Sequence, residues 1–221
     1  MLIKICGITK ISEIDDLNEL KPDYIGFVFA KSKRQIDGQT AYRLKERLDK
    51  DIKTVGVFLN NTEEDILNVL KEVDLDVIQL HGDEDNNFID SLKKKVKCDI
   101  WKAVSILTKE DMDKAIKYNV DTLLLDGSKP GSGKTFDWNQ LIKNDFSKRI
   151  FLAGGIDETN VLEGIRKVNP DGIDTSSGVE IIDKNGRRKD REKMRRLIRK
   201  VRESKWKVDL INMEDNMFQK L

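Results

Sequence analysis

Residues 2–29 read LIKICGITKISEIDDLNELKPDYIGFVF. The stretch opens on a β-branched run, Leu2–Cys6, and closes on an aromatic and β-branched run, Tyr24–Phe29, whose start lies 22 residues after the first. Between them is room for one helix and two loops, which makes a βα unit. Further runs follow at Lys53–Phe58, Asp76–Leu80, Ile100–Val104, Thr122–Asp126, Ile150–Ala153 and Gly172–Ser176, with starts 29, 23, 24, 22, 28 and 22 residues apart. Eight strands at a period of about 24 residues predict a chain of βα units.

The segments between strands carry helical spacing. Ile66, Leu67, Leu70 and Val73 hold it, as do Phe88, Ile89, Leu92 and Val96, and Met194, Leu197, Ile198 and Val201. Asn61-Thr62, Thr108 and Asp157 stand where helix starts need capping oxygens. Eight such units in about 200 residues predict an α/β fold, a single (βα)8 TIM barrel over residues 1–203, with 204–221 a C-terminal extension. The competing doubly wound sheet often carries GxGxxG after its first strand; here that turn is Gly7-Ile8-Thr9.

Composition bounds the rest. The 221 residues hold 41 Lys or Arg against 40 Asp or Glu, a net charge of +1, with 38% hydrophobic residues. Near-neutrality argues against a dedicated nucleic-acid binder. Two cysteines, Cys6 and Cys98, exclude a disulfide framework. With no apolar segment long enough for a signal peptide or a membrane span, a cytoplasmic protein without membrane association is expected.

Barrel active sites form at the C-terminal ends of the strands. Those ends hold Cys6, the loop to Arg34, His81, Ser105, Asp126, Gly154-Gly155 and Ser176-Ser177-Gly178. Side chains alternate along a strand, so an inward Cys6 brings Lys4 with it, and an ammonium favours the thiolate that acts as base or nucleophile. A buried structural cysteine is the equal alternative, and Cys98, before the fifth strand, reads as structural. Asp126 ends an apolar run, where a lone carboxylate is costly to bury, so a functional role is favoured over a loop cap. The glycine-rich loop Gly127–Lys134 reads as a lid; its Gly133-Lys134-Thr135 lacks the first glycine of a P-loop, since position 128 is serine. The small-residue turns after strands seven and eight suit backbone binding of phosphate. Arg34 has the fork to clamp a carboxylate, or is a solvated surface arginine. A single histidine, His81, argues against a metal site, and none is expected. The basic run Arg187–Lys205 predicts an amphipathic outer helix with a solvated face, with RNA or membrane-surface binding a minority reading.

Six motifs then stand together in order: Lys4–Thr9, Gly26–Phe29 running to Ser32-Lys33-Arg34, Gln79–Gly82, Gly131–Trp138, Leu152–Gly155 and Ser176–Glu180. Over residues 1 to 203 the chain resembles the phosphoribosylanthranilate isomerases of tryptophan biosynthesis. The resemblance implies a cofactor-free Amadori rearrangement of a small phosphorylated substrate, with Cys6 as general base and Asp126 as general acid. It further implies that Arg34 holds the anthranilate carboxylate and that Gly154, Gly155, Ser176, Ser177 and Gly178 bind phosphate. Asp174 is expected near the pocket floor, and His81 is expected to orient a loop or line the pocket. Lys31 replaces an expected proline and Thr175 an expected valine. A monomer and a homodimer both remain open. The alternatives are another phosphosugar barrel enzyme and a non-catalytic barrel that binds phosphate or RNA.

Overall fold

The computed structural model describes residues 1–127, 147–184 and 186–218, those from 205 onward by their backbone alone. Eight strands close into one parallel barrel in sequence order: β1 (Leu2–Cys6), β2 (Tyr24–Val28), β3 (Lys53–Phe58), β4 (Val77–Leu80), β5 (Asp99–Ser105), β6 (Thr122–Asp126), β7 (Arg149–Ala153) and β8 (Gly172–Thr175). Each strand expected from the sequence is present, with ends moved by a residue at most. The intervening helices are α1 (Ile11–Leu20), α2 (Gly38–Lys45), α3 (Glu63–Glu72), α4 (Asn86–Lys93), α5 (Lys109–Ala115) and α6 (Val161–Val168). The last helix, α7, runs Arg191–Phe218, so the backbone stays helical into the extension.

Alternation along the strands separates two cores. Outward Ile3, Ile5, Ile25, Ile78, Leu123 and Ile173 pack under the helices, joined by Met194, Leu197, Ile198 and Val201 of α7. Inward Tyr24, Val55, Val57, Val77, Trp101, Leu124 and Phe151 fill the barrel with Cys6. Trp101 packs against Tyr24 and Phe151 at ring-centroid distances of 4.9 and 4.8 Å, which plugs the interior below the rim.

Local signals explain where elements begin. Thr62 and Asp65 exchange side-chain-to-backbone bonds across the start of α3, as Thr108 and Asp111 do for α5. Asp157 was expected to start a helix and does not. It closes a turn by accepting from Thr159 and Asn160 amides, and α6 begins at Val161 after Asn160. At the opposite rim, three aspartates before strands staple the neighbouring strand. The Ile3 amide donates to Asp23 at 2.8 Å, Thr54 to Asp76 at 2.8 Å, and Ile150 to Asp171 at 2.7 Å.

The basic run needs a second correction. Its first residues, Arg187 and Arg188, lie on a strand, β10 (Gly186–Lys189), antiparallel to β9 (Glu180–Asp183). This hairpin follows β8 through a short 3-10 turn, Ser177–Val179, and precedes α7. The arginines pair with acids: Arg187 with Glu180, Arg188 with Asp183, Arg191 with Glu19 and Arg196 with Glu158. The lid reading beyond Gly127, including Gly131–Trp138, lies outside the described residues. Among the described residues no helix is long and apolar enough to cross a membrane.

Candidate active site

The barrel closes where β1 meets β8, and register sets Lys4 opposite Asp174. Both side chains point inward, and the Lys4 ammonium donates to Asp174 Oδ1 at 2.8 Å with no solvent exposure. Burial works against that charge, but Asp174 and then Cys6 attract it, and the Lys4 pKa is raised. Cys6 therefore stands one pleat above a fixed cation, on the inward face that alternation predicts. Its own carbonyl accepts from Ser176 Oγ at 2.9 Å, which ties the end of β1 to the turn after β8.

Across the barrel, Asp126 ends β6 and His81 follows β4. His81 Nε2 lies 3.9 Å from Asp126 Oδ2. Burial lowers the His81 pKa; attraction to Asp126 opposes this, while Lys4 adds repulsion. The ring Nδ1 sits 3.1 Å from the Gln79 amide nitrogen. Asp174 feels Lys4, His81 and Asp126 in turn. Cys6 with the Lys4–Asp174 pair, and Asp126 with His81, thus gather at the same end of the barrel.

The two small-residue turns come together beside these groups. Gly154 and Gly155 both have positive φ, 87° and 66°, which aims successive amides to one side. Gly178 approaches the same turn so closely that a Cβ on it would fall 2.0 Å from the Ile156 carbonyl oxygen. Thr175 donates to that oxygen at 2.6 Å, so the departure from valine adds a link between the turns. Asn160 fixes the first turn from below by donating to the Gly155 carbonyl at 2.8 Å. Gly154, Gly155, Ser176, Ser177 and Gly178 form a cradle of the kind that accepts an anion.

Arg34 does clamp a carboxylate, and that carboxylate belongs to the chain. Its Nε and Nη2 donate to Glu180 at 2.6 and 2.8 Å. Glu180 also accepts from Arg187 at 2.6 Å and from Lys189 at 2.8 Å. Burial pushes the Glu180 pKa up, but the bonds and charges of Arg34 and Lys189 outweigh it and hold it at about 2. Lys189 reaches on to the Ser176 carbonyl at 3.0 Å, and its amide donates to buried Glu13 at 2.7 Å. Glu13 in turn accepts from the Thr9 and Lys10 amides of the loop after β1. The hairpin thus braces both Arg34 and the β1 loop. Glu180 stood in the sequence within the Ser176–Glu180 motif, yet nothing local showed that it would sit under three cations, because its partners are 7, 9 and 146 residues away.

Cys98 lies at the entry of β5, away from this rim, and burial raises its pKa, as suits a structural thiol. A closed parallel barrel with polar groups gathered at the C-terminal ends of its strands defines a (βα)8-barrel enzyme. Within that class, the chain belongs to the N-(5'phosphoribosyl)anthranilate (PRA) isomerase family, whose model matches residues 3–200. It is 50% identical to the N-(5'-phosphoribosyl)anthranilate isomerase of Clostridium beijerinckii, over 90% of this chain and 96% of that one. The phosphoribosyl anthranilate isomerase of Thermotoga maritima superposes with a TM-score of 0.82 at 36% identity, covering 90% of this chain and 97% of that one. A second solved structure, of a phosphoribosyl anthranilate isomerase in complex with reduced 1-(o-carboxyphenylamino)-1-deoxyribulose 5-phosphate, superposes with a TM-score of 0.79 at 34% identity, with the same coverage.

Proposed function

We propose that the chain rearranges N-(5-phosphoribosyl)anthranilate to 1-(2-carboxyphenylamino)-1-deoxyribulose 5-phosphate, with Asp126 as general acid and Cys6 as general base. The observation that carries this reading is that Cys6, above the Lys4–Asp174 pair, ends β1 and Asp126, beside His81, ends β6 at the same rim. That arrangement suits a proton acceptor and a proton donor acting on one bound substrate. Asp126 protonates the furanose ring oxygen, the C1–O bond breaks, and the nitrogen lone pair forms an iminium at C1. That iminium draws electrons from C2, so a thiolate at Cys6 removes the C2 proton to give an enolamine. The C2 hydroxyl then becomes a carbonyl as C1 gains a proton. C2 is oxidised and C1 reduced within one molecule, so the balance requires no external electron carrier.

The remaining groups suit the two anionic ends of this substrate. The cradle of Gly154, Gly155, Ser176, Ser177 and Gly178 receives the phosphate, and Arg34 the anthranilate carboxylate, which fixes C1 and C2 between acid and base. His81, beside Asp126, lines the wall, and Asp174 pairs with Lys4 beneath Cys6.

The test is turnover followed by the loss of phosphoribosylanthranilate fluorescence. Cys6→Ala and Asp126→Asn are each expected to lower kcat about 10²–10⁴-fold with circular dichroism unchanged. Near-normal turnover in Cys6→Ala would remove the base assignment.

A further inference from the structure

Arg34 presents two edges on which a carboxylate can dock in a fork, Nε with Nη2 and Nη1 with Nη2. Glu180 occupies the first. Its side chain is 4% exposed against 26% for Arg34, so the carboxylate lies beneath the guanidinium and the exposed part of the pair is arginine. Each Glu180 oxygen accepts two bonds: Oε1 from Arg34 and Lys189, Oε2 from Arg34 and Arg187. A carboxylate saturated in this way is rigid, and Lys189 anchors it to Ser176 of the cradle. Three cations face one anion, so the corner keeps a positive excess toward an incoming anion. Among the described residues Arg34 Nη1 makes no hydrogen bond, so no partner fills the Nη1–Nη2 edge.

From this geometry we infer that Glu180 is a positioning residue. It holds the side edge of Arg34 so that the end edge is set for the substrate carboxylate, at a fixed span from the phosphate cradle through Lys189. The inference rests on the reading of Arg34 given above and goes beyond it, because it assigns the selection of a carboxylated aromatic amine to a residue that never touches the substrate. Charge at the corner would attract any anion. A held fork selects one at a defined distance from the phosphate.

The experiment compares phosphoribosylanthranilate with the analogue made from aniline and ribose 5-phosphate, which lacks the carboxylate. The readout is the preference, the ratio of the two kcat/KM values, together with the split between kcat and KM. Glu180→Gln is expected to lower the preference about 10–100-fold, since a fixed charge-assisted fork is lost, with the change carried by a raised KM for the carboxylated substrate. Arg34→Lys must lower the preference as well. If it does not, the Arg34 reading itself fails and takes the inference with it. If Arg34→Lys lowers the preference while folded Glu180→Gln leaves it intact, only the positioning role is overturned. A lowered KM in Glu180→Gln would also overturn it, because Glu180 would then be competing with the substrate for Arg34. Should Glu180→Gln fail to fold, Arg187→Gln decides the matter. Arg187 is partly exposed and supplies one of the three cations. Its replacement is expected to lower the preference about 3-fold, and an unchanged ratio overturns the inference.

Discussion

Gly26 stands opposite Cys6 in the β1–β2 register, and a Cβ there would lie 2.7 Å from the Cys6 sulfur and 3.1 Å from its Cα. The thiol's position depends on that missing atom. Gly26→Ala is expected to push the sulfur aside and lower kcat about 100-fold, because misplacement by about 1 Å at a reacting centre costs that much. Its overpacking cost is about 1–3 kcal/mol. Turnover near wild type with unchanged stability would show that the sulfur has room elsewhere. At this scale the sequence was readable wherever alternation decides. The inward pair Lys4 and Cys6, the polar end of β6 and the two glycine-serine turns all follow from strand periodicity. Arg34 was readable only as a fork seeking a carboxylate; that Glu180 fills one edge depends on a hairpin hidden inside a run of arginines.

The strand pattern reads clearly because each βα unit repeats the same physical problem, an apolar strand buried on both faces and a helix covering one of them. The hairpin β9–β10 is hidden in the sequence because Arg187 and Arg188 carry no apolar alternation and adjoin a true helix. The stapling aspartates were not legible either, since an aspartate before a strand looks like any turn residue. Asp76 accepts from both the amide and the hydroxyl of Thr54, the latter at 2.7 Å. Asp76→Ala is expected to cost about 1–3 kcal/mol in urea unfolding while kcat stays within about 2-fold, because the staple sits at the rim away from the chemistry. A large loss of activity at unchanged stability would contradict that division between rims.

The whole molecule carries 41 positive and 40 negative side chains, and its acid response depends on which of them are paired. Glu180 is one such group, with a folded value of about 2 against an ordinary 4.5. A carboxylate depressed in the folded state contributes stability that is complete above pH 4.5 and lost as pH falls toward 2. The shift corresponds to at most about 3 kcal/mol. Urea midpoints of the wild type and Glu180→Gln should therefore differ most near neutrality, converge below pH 4.5 and meet near pH 2. A gap independent of pH would mean that the carboxylate's charge contributes nothing.

The same corner has a consequence in time. Lys4 meets Asp174, Cys6 meets Ser176, Glu13 meets Lys189 and Arg34 meets Glu180, so each of these links joins the first 34 residues to residues made near the end. At about 5–20 residues per second, Cys6 leaves the ribosome roughly 10–30 s before the residues that close over it. Throughout that interval the nascent chain carries a bare thiol, an arginine without its carboxylate and an unclosed sheet edge. These links form only when the last quarter arrives, so a chain released early would hold Cys6 and Asp126 without the residues that close the barrel around them.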